Sequence, residues 1–217
     1  MKILILSDGL SGGGAERVAF DLANSFLKFK NEVSIITAVQ DKSKVGKINK
    51  NGMEIYKIYS NYHERWRAYF SLNNYRVIKE MKEIIKHINP DIVHAHNIHY
   101  HLSYHSLKIA KEYCDKVFLT THDVMLFHYG KLVEFINQDN LSIPKKFNYK
   151  ITPWQQIKRF KKRYNPLRNI IIKKYLKYVD KIFAVSYTLK DALNQNSIKN
   201  VEVIYNGIEI AQWQVDN

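Results

Sequence analysis

Apolar positions along this chain switch repeatedly between a compact run and a helical spacing. Lys2 to Leu6 (KILIL) reads as a buried strand. From Ala15 onward, Val18, Ala19, Leu22, Ala23 and Phe26 recur on one helical face. Glu32 to Ala38 (EVSIITA) is rich in β-branched residues and predicts a second strand. Lys42 to Asn51 is a polar connection ending in the turn signal Asn51-Gly52, and Met53 to Tyr59 predicts an edge strand. Glu64 to His87 reads as one helix stopped by Asn89-Pro90. The alternation continues with strand 91–96, helix Leu102 to Tyr113 and strand Lys116 to Thr121. After an aromatic loop from Phe127 to Pro153, Trp154 to Tyr164 and Leu167 to Tyr178 predict two basic helical pieces, with Asn165 capping the second. Strand Lys181 to Val185, a helix capped by Ser186 and a last strand from Val201 to Tyr205 complete the series.

Strands separated by helices imply right-handed crossovers, and hence an α/β fold with a Rossmann-like parallel sheet and helices on both faces. Ligands of such sheets sit at the carboxyl ends of the strands. The residues expected there are the glycine loop, His94 and His96, His122 and Asp123, and Ser186.

Between the first strand and helix lies Ser11-Gly12-Gly13-Gly14-Ala15-Glu16-Arg17. A side-chain-free loop at a helix N-terminus can present N–H groups to a phosphate. It is not a nicotinamide fingerprint, because the third glycine position falls on Arg17, nor a P-loop, because no Gly-Lys-Ser/Thr follows. His94, His96, His99, His101 and His105 crowd one segment, yet no cysteine or close carboxylate pair completes a metal set, so no metal is expected. His122 follows a buried strand and points into the cleft, where Asp123 could orient it or bind a hydroxyl. Asp123 could equally cap a short helix from Val124 to Phe127.

Charge changes the picture. The 217 residues carry a net +14, which invites an acidic partner. Between Lys145 and Lys181, thirteen lysines and arginines stand against Asp180 alone, with Lys158, Arg159, Lys161, Lys162 and Arg163 the densest part. With interleaved aromatics, this suits an anionic membrane surface or an acidic acceptor. Nucleic acid is disfavoured because no recognition motif accompanies the charge. The single cysteine, Cys114, and the absence of a signal-like apolar run point to a cytoplasmic protein, peripheral to the membrane at most.

Taken together, Gly13-Gly14-Ala15-Glu16-Arg17, Asp91-Ile-Val-His-Ala-His96, Thr121-His122-Asp123, residues 179–186 (VDKIFAVS) and 203–208 (VIYNGI) resemble, in order and spacing, the N-terminal half of the retaining GT-B glycosyltransferases of family four. That resemblance implies an acceptor-binding domain over residues 1–207, with 208–217 beginning the linker to a second, nucleotide-sugar-binding domain. It places Gly12, Gly13, Gly14 and Glu16 near the donor diphosphate, with His94, His96 and Ser186 along the cleft. His122 would contact the transferred sugar beside Asp123, and Asn206-Gly207 would begin a hinge. It implies a nucleotide-sugar co-substrate, a glycan or lipid-linked acceptor and no cofactor or metal, and no sugar transfer without the second domain. The alternative is a non-catalytic binding module, of a partner protein carrying the donor domain or, through the basic stretch 145–181, of an anionic membrane or nucleic acid.

Overall fold

A computed structural model describes residues 1–10, 12–130 and 147–207. Its eight strands are β1 (Lys2–Ser7), β2 (Glu32–Val39), β3 (Gly46–Lys50), β4 (Met53–Tyr59), β5 (Ile92–His96), β6 (Lys116–Thr121), β7 (Lys181–Ala184) and β8 (Val201–Val203). They form one sheet in the order β3-β4-β2-β1-β5-β6-β7-β8. All neighbours are parallel except β3 and β4, which pair antiparallel. The expected edge strand Met53–Tyr59 is therefore internal. The polar Gly46–Lys50 segment lies outside it, joined through the Asn51-Gly52 turn, whose residues both take positive φ (54° and 82°). That outer strand is exposed throughout, so it carries no apolar alternation to betray it.

The helices are α1 (Gly14–Lys28), α2 (Arg67–Phe70), α3 (Tyr75–Ile88), α4 (His105–Tyr113), α5 (Pro153–Phe160), α6 (Arg168–Leu176) and α7 (Tyr187–Gln195). The single helix expected over 64–87 is broken at 71–74. The carbonyls of Ser71 and Leu72 accept the N–H groups of Tyr104 and His105, and the Asn74 amide donates to Ser60 Oγ and the His101 carbonyl. These bonds replace helical ones without disturbing the apolar period. Asn89, left-handed at φ 47°, ends α3 where the Asn-Pro signal placed the stop.

Helices cover both faces unequally. Leu4, Leu6, Val93, Ala95, Val117, Leu119, Ile182 and Ala184 point to the face where α3, α4, α6 and α7 build the main core. Ile3, Ile5, Val33, Ile35 and Ile55 point to the other, where Ala19 and Ala23 of α1 pack. Among the described residues, α1 is the one helix there. Beside it, Ile92, His94, Phe118, Thr120 and Phe183 floor an open groove of about 790 Å³.

Candidate functional site

The parallel register aligns Ser7 of β1 with His96 of β5, and His96 with Thr120 of β6. Three adjacent strands thus end together, and the residues just beyond them share one space. His96 Nδ1 and His122 Nε2 are 3.2 Å apart, so one ring donates to the other. The His94 ring lies 4.3 Å from that of His96, and its Nε2 is 2.8 Å from Thr120 Oγ1. Burial pushes His94 and His122 down to about 4 and carries His96 well below the usual imidazole range. At neutral pH all three rings are uncharged. As neutral imidazoles each can offer one N–H donor and one acceptor nitrogen. His96 Nε2, buried, has no hydrogen-bond partner among the described residues.

The orientation of His122 comes from His96 across the sheet. Asp123 Oδ1 accepts the Met125 N–H at 2.8 Å, and Oδ2 lies 3.5 Å from His99 Nε2. The segment from Val124 to Phe127 is a single turn closed by Phe127 and His128 N–H groups on the Val124 carbonyl, not a short helix. Asp123 caps that turn and meets His99 at the edge of the same space.

On the β1 side, Gly12 has φ +117°, a conformation that excludes side chains, and Gly13 precedes α1 without a side-chain cap. The first-turn N–H groups of α1 therefore face outward at an exposed loop of Gly12, Gly13 and Gly14. Beneath the loop lies Glu16, whose Oε2 is buried with no hydrogen-bond partner. It fills the space where a Cβ on Gly9 would stand, 2.5 Å from Oε1.

The remaining expected residues are spread more widely. Ser186 Oγ accepts the Leu189 N–H at 3.2 Å and so caps α7. His94 lies within the groove floor, one pleat back from the strand end, and Asn206 and Gly207 line that groove's far side. Lys158, Arg159, Lys161, Lys162 and Arg163 are exposed on α5 and the 3-10 turn after it, remote in sequence from the histidines. Lys145, Lys146, Ser11 and the segment 208–217 lie outside the described residues. Arg168, read from the sequence as part of the basic face, is instead 1% exposed, with its Nη2 on the Met125 carbonyl at 2.6 Å. Among the described residues no three His, Cys, Asp or Glu side chains converge as metal ligands.

Two residues of this space escape a sequence reading. Asp8 reads only as the polar end of β1, and His99 as one histidine of a loop. In the fold, Asp8 accepts the N–H groups of Tyr100, His101 and Leu102 at 2.7, 2.9 and 2.7 Å. The position of Asp8 at a strand's carboxyl end is the signal that could have singled it out.

The fold is shared with known enzymes. It superposes on sucrose-phosphate synthase from Thermosynechococcus elongatus with a TM-score of 0.64 at 11% identity, covering 97% of this chain and 49% of that one. An E. coli structure described as trehalose-6-phosphate bound with UDP-2-fluoro glucose gives 0.56 at 12% identity, covering 98% and 50%. The catalytic domain of starch synthase IV from Arabidopsis thaliana, bound to ADP and acarbose, gives 0.52 at 16%, covering 98% and 52%. The chain thus spans about half the length of these structures. No curated protein matches the sequence. The sequence itself matches Glycosyltransferase Family 4 over residues 12–212, and the chain belongs to that family.

Proposed function

We propose that this chain is the acceptor-side domain of a retaining glycosyltransferase that transfers a sugar from a nucleotide-sugar to a glycan or lipid-linked acceptor. The observation that carries this reading is the neutral His96–His122 pair at adjoining strand ends, beside Asp123, with the exposed glycine loop following the neighbouring strand β1. An uncharged imidazole pair suits sugar hydroxyls, and N–H groups at the start of α1 suit a diphosphate. The family match and the coverage of about half of each relative support a partnership with a second, donor-binding domain. Purified residues 1–217 are expected to bind a nucleotide-sugar weakly in calorimetry and to show no turnover in a radiolabel transfer assay. Transfer is expected once a donor-binding domain is supplied. Turnover by residues 1–217 alone would contradict the division of labour.

The basic surface supplies the acceptor's setting. Ala68 of α2 packs with Tyr129 and Tyr164, which brings the segment carrying exposed Trp66 and Tyr69 against the one carrying Lys161, Lys162 and Arg163. Aromatic side chains next to cations suit the interface of an anionic membrane. No helix among the described residues is long and apolar enough to cross one. Replacing Lys161 and Lys162 together by alanine is expected to weaken binding to anionic vesicles about thirtyfold, since each cation near such a surface contributes about 1 kcal/mol. Co-sedimentation at low salt checks this, and equal binding of the parent chain to neutral and anionic vesicles would refute membrane docking.

A further inference from the structure

The loop after β5, residues 97–104, is held in an irregular shape. Asn97 and Ser103, near its two ends, both take positive φ, 43° and 66°. Between them, the N–H groups of Tyr100, His101 and Leu102 turn inward onto the carboxylate of Asp8, more than ninety residues earlier in the chain. Oδ1 takes two of these donors and Oδ2 the third. Tyr62 Oη donates to the Tyr100 carbonyl at 2.7 Å, and the Arg67 guanidinium lies 5.0 Å over the Tyr100 ring. His99, 5% exposed, is thereby turned toward Asp123 Oδ2.

We propose that Asp8 is a positioning residue of the candidate site: by gathering the Tyr100, His101 and Leu102 N–H groups it sets the loop after β5 and holds His99 against Asp123, next to His122. The proposal rests on reading His122 and Asp123 as the reacting end of the site. Its physical basis is that three consecutive amides form a concave donor set that only an anion or a well-placed carbonyl can satisfy. The β1 strand end supplies that anion from a rigid element. The position of His99 is therefore fixed by the sheet and not by its own flexible loop.

Charge gives the arrangement a pH dependence. Among the described residues, the groups facing Asp8 are Glu16 from α1, Tyr62 from the segment before the 3-10 turn over 64–66, and Tyr100 and Tyr104 from the loop itself. None is a cation. Burial, with a smaller push from Glu16, raises Asp8 from 3.8 to about 7 despite the three N–H donors. The folded state therefore holds this proton more tightly than the unfolded chain. Stability from Asp8 is full below about pH 4, declines as pH rises to about 7 and is level above. Protonation also removes Oδ2 or Oδ1 as a full acceptor, so the loop is held best in the alkaline form, where the fold gains least.

Asp8→Asn separates positioning from simple structural support. Amide exchange at Tyr100 is expected to rise about tenfold or more, the loss of one hydrogen bond to a charged acceptor. The His99 ring resonances should shift relative to the parent. The melting temperature at pH 8 should not fall, and its decline between pH 4 and 7 should flatten. Uniform loss of exchange protection with a lower melting temperature at pH 8 would make Asp8 merely structural and overturn the proposal. Unchanged Tyr100 exchange and unchanged His99 resonances would overturn it equally. Should the variant not fold, the parent chain gives the test: the Tyr100, His101 and Leu102 amide resonances should titrate together near pH 7, and their failure to move rejects the proposal. None of these readouts requires sugar transfer, so they stand or fall separately from the glycosyltransferase reading.

Discussion

Replacing Arg168 by alanine is expected to destabilise the domain by about 3 kcal/mol or more, a fall of about 10 °C in melting temperature for a chain of this size. The side chain is 1% exposed, the largest of the fully buried ones among the described residues. Its guanidinium lies 6.0 Å over the Tyr104 ring and 5.8 Å over that of Tyr129, and Nη2 donates to the Met125 carbonyl. Truncation leaves a cavity beside Tyr104 and Tyr129 and removes the shorter of the Met125 carbonyl's two hydrogen bonds, leaving it only the Tyr104 Oη donor at 3.2 Å. Neither loss is repaired by Asn169, whose amide is committed to the Phe127 carbonyl at 2.6 Å. Arg168→Lys keeps a charge but not the planar fork that spans carbonyl and rings, so it is expected to recover only a minor part. Chemical denaturation of both variants checks the ranking. A loss below about 1 kcal/mol, the range of ordinary surface substitutions, would show that the site tolerates the change as a surface would.

Arg168 also marks where a sequence reading stops. Within residues 145–181 it is one of thirteen cations, indistinguishable from its exposed neighbours. Gln156, buried at 1%, is equally disguised; it bridges the Phe127 carbonyl and the Tyr129 N–H, 29 and 27 residues away. Partners at such distances along the chain leave no periodic trace. The core strands were legible because a parallel strand buried on both faces must be apolar along its length. That is true of Ile3–Leu6 and, but for Ser34, of Val33–Ile36, and false of Gly46–Lys50. The histidines at strand ends were legible for the topological reason that ligands collect there. Which group orients His122 was not. Adjacency suggested Asp123, but in the register of β5 and β6 the neighbour on the same side is His96, 26 residues earlier.

His122→Ala is expected to lower kcat/KM for sugar transfer about 100-fold or more, measured on the polypeptide supplied with a donor-binding domain. Because burial holds His122 near 4, the ring is neutral across the physiological range, and in the proposed site it would serve as a hydrogen-bonding partner for a hydroxyl. The rate profile between pH 6 and 8 should therefore show no inflection belonging to this residue, and His122→Asn, which keeps a donor and an acceptor, should recover part of the loss. Stability moves the other way from Asp8. A histidine lowered from 6.5 to about 4 contributes least at acid pH: the unfolded chain takes up the proton first, so stability falls as pH drops from about 6.5 to 4. His94 adds to the same trend, and His122→Ala should remove its own share while leaving that of His94. Transfer kinetics and melting curves on the same preparations distinguish the two effects. Full activity in His122→Ala would mean that the strand-end histidines pack the sheet and do not touch the sugar.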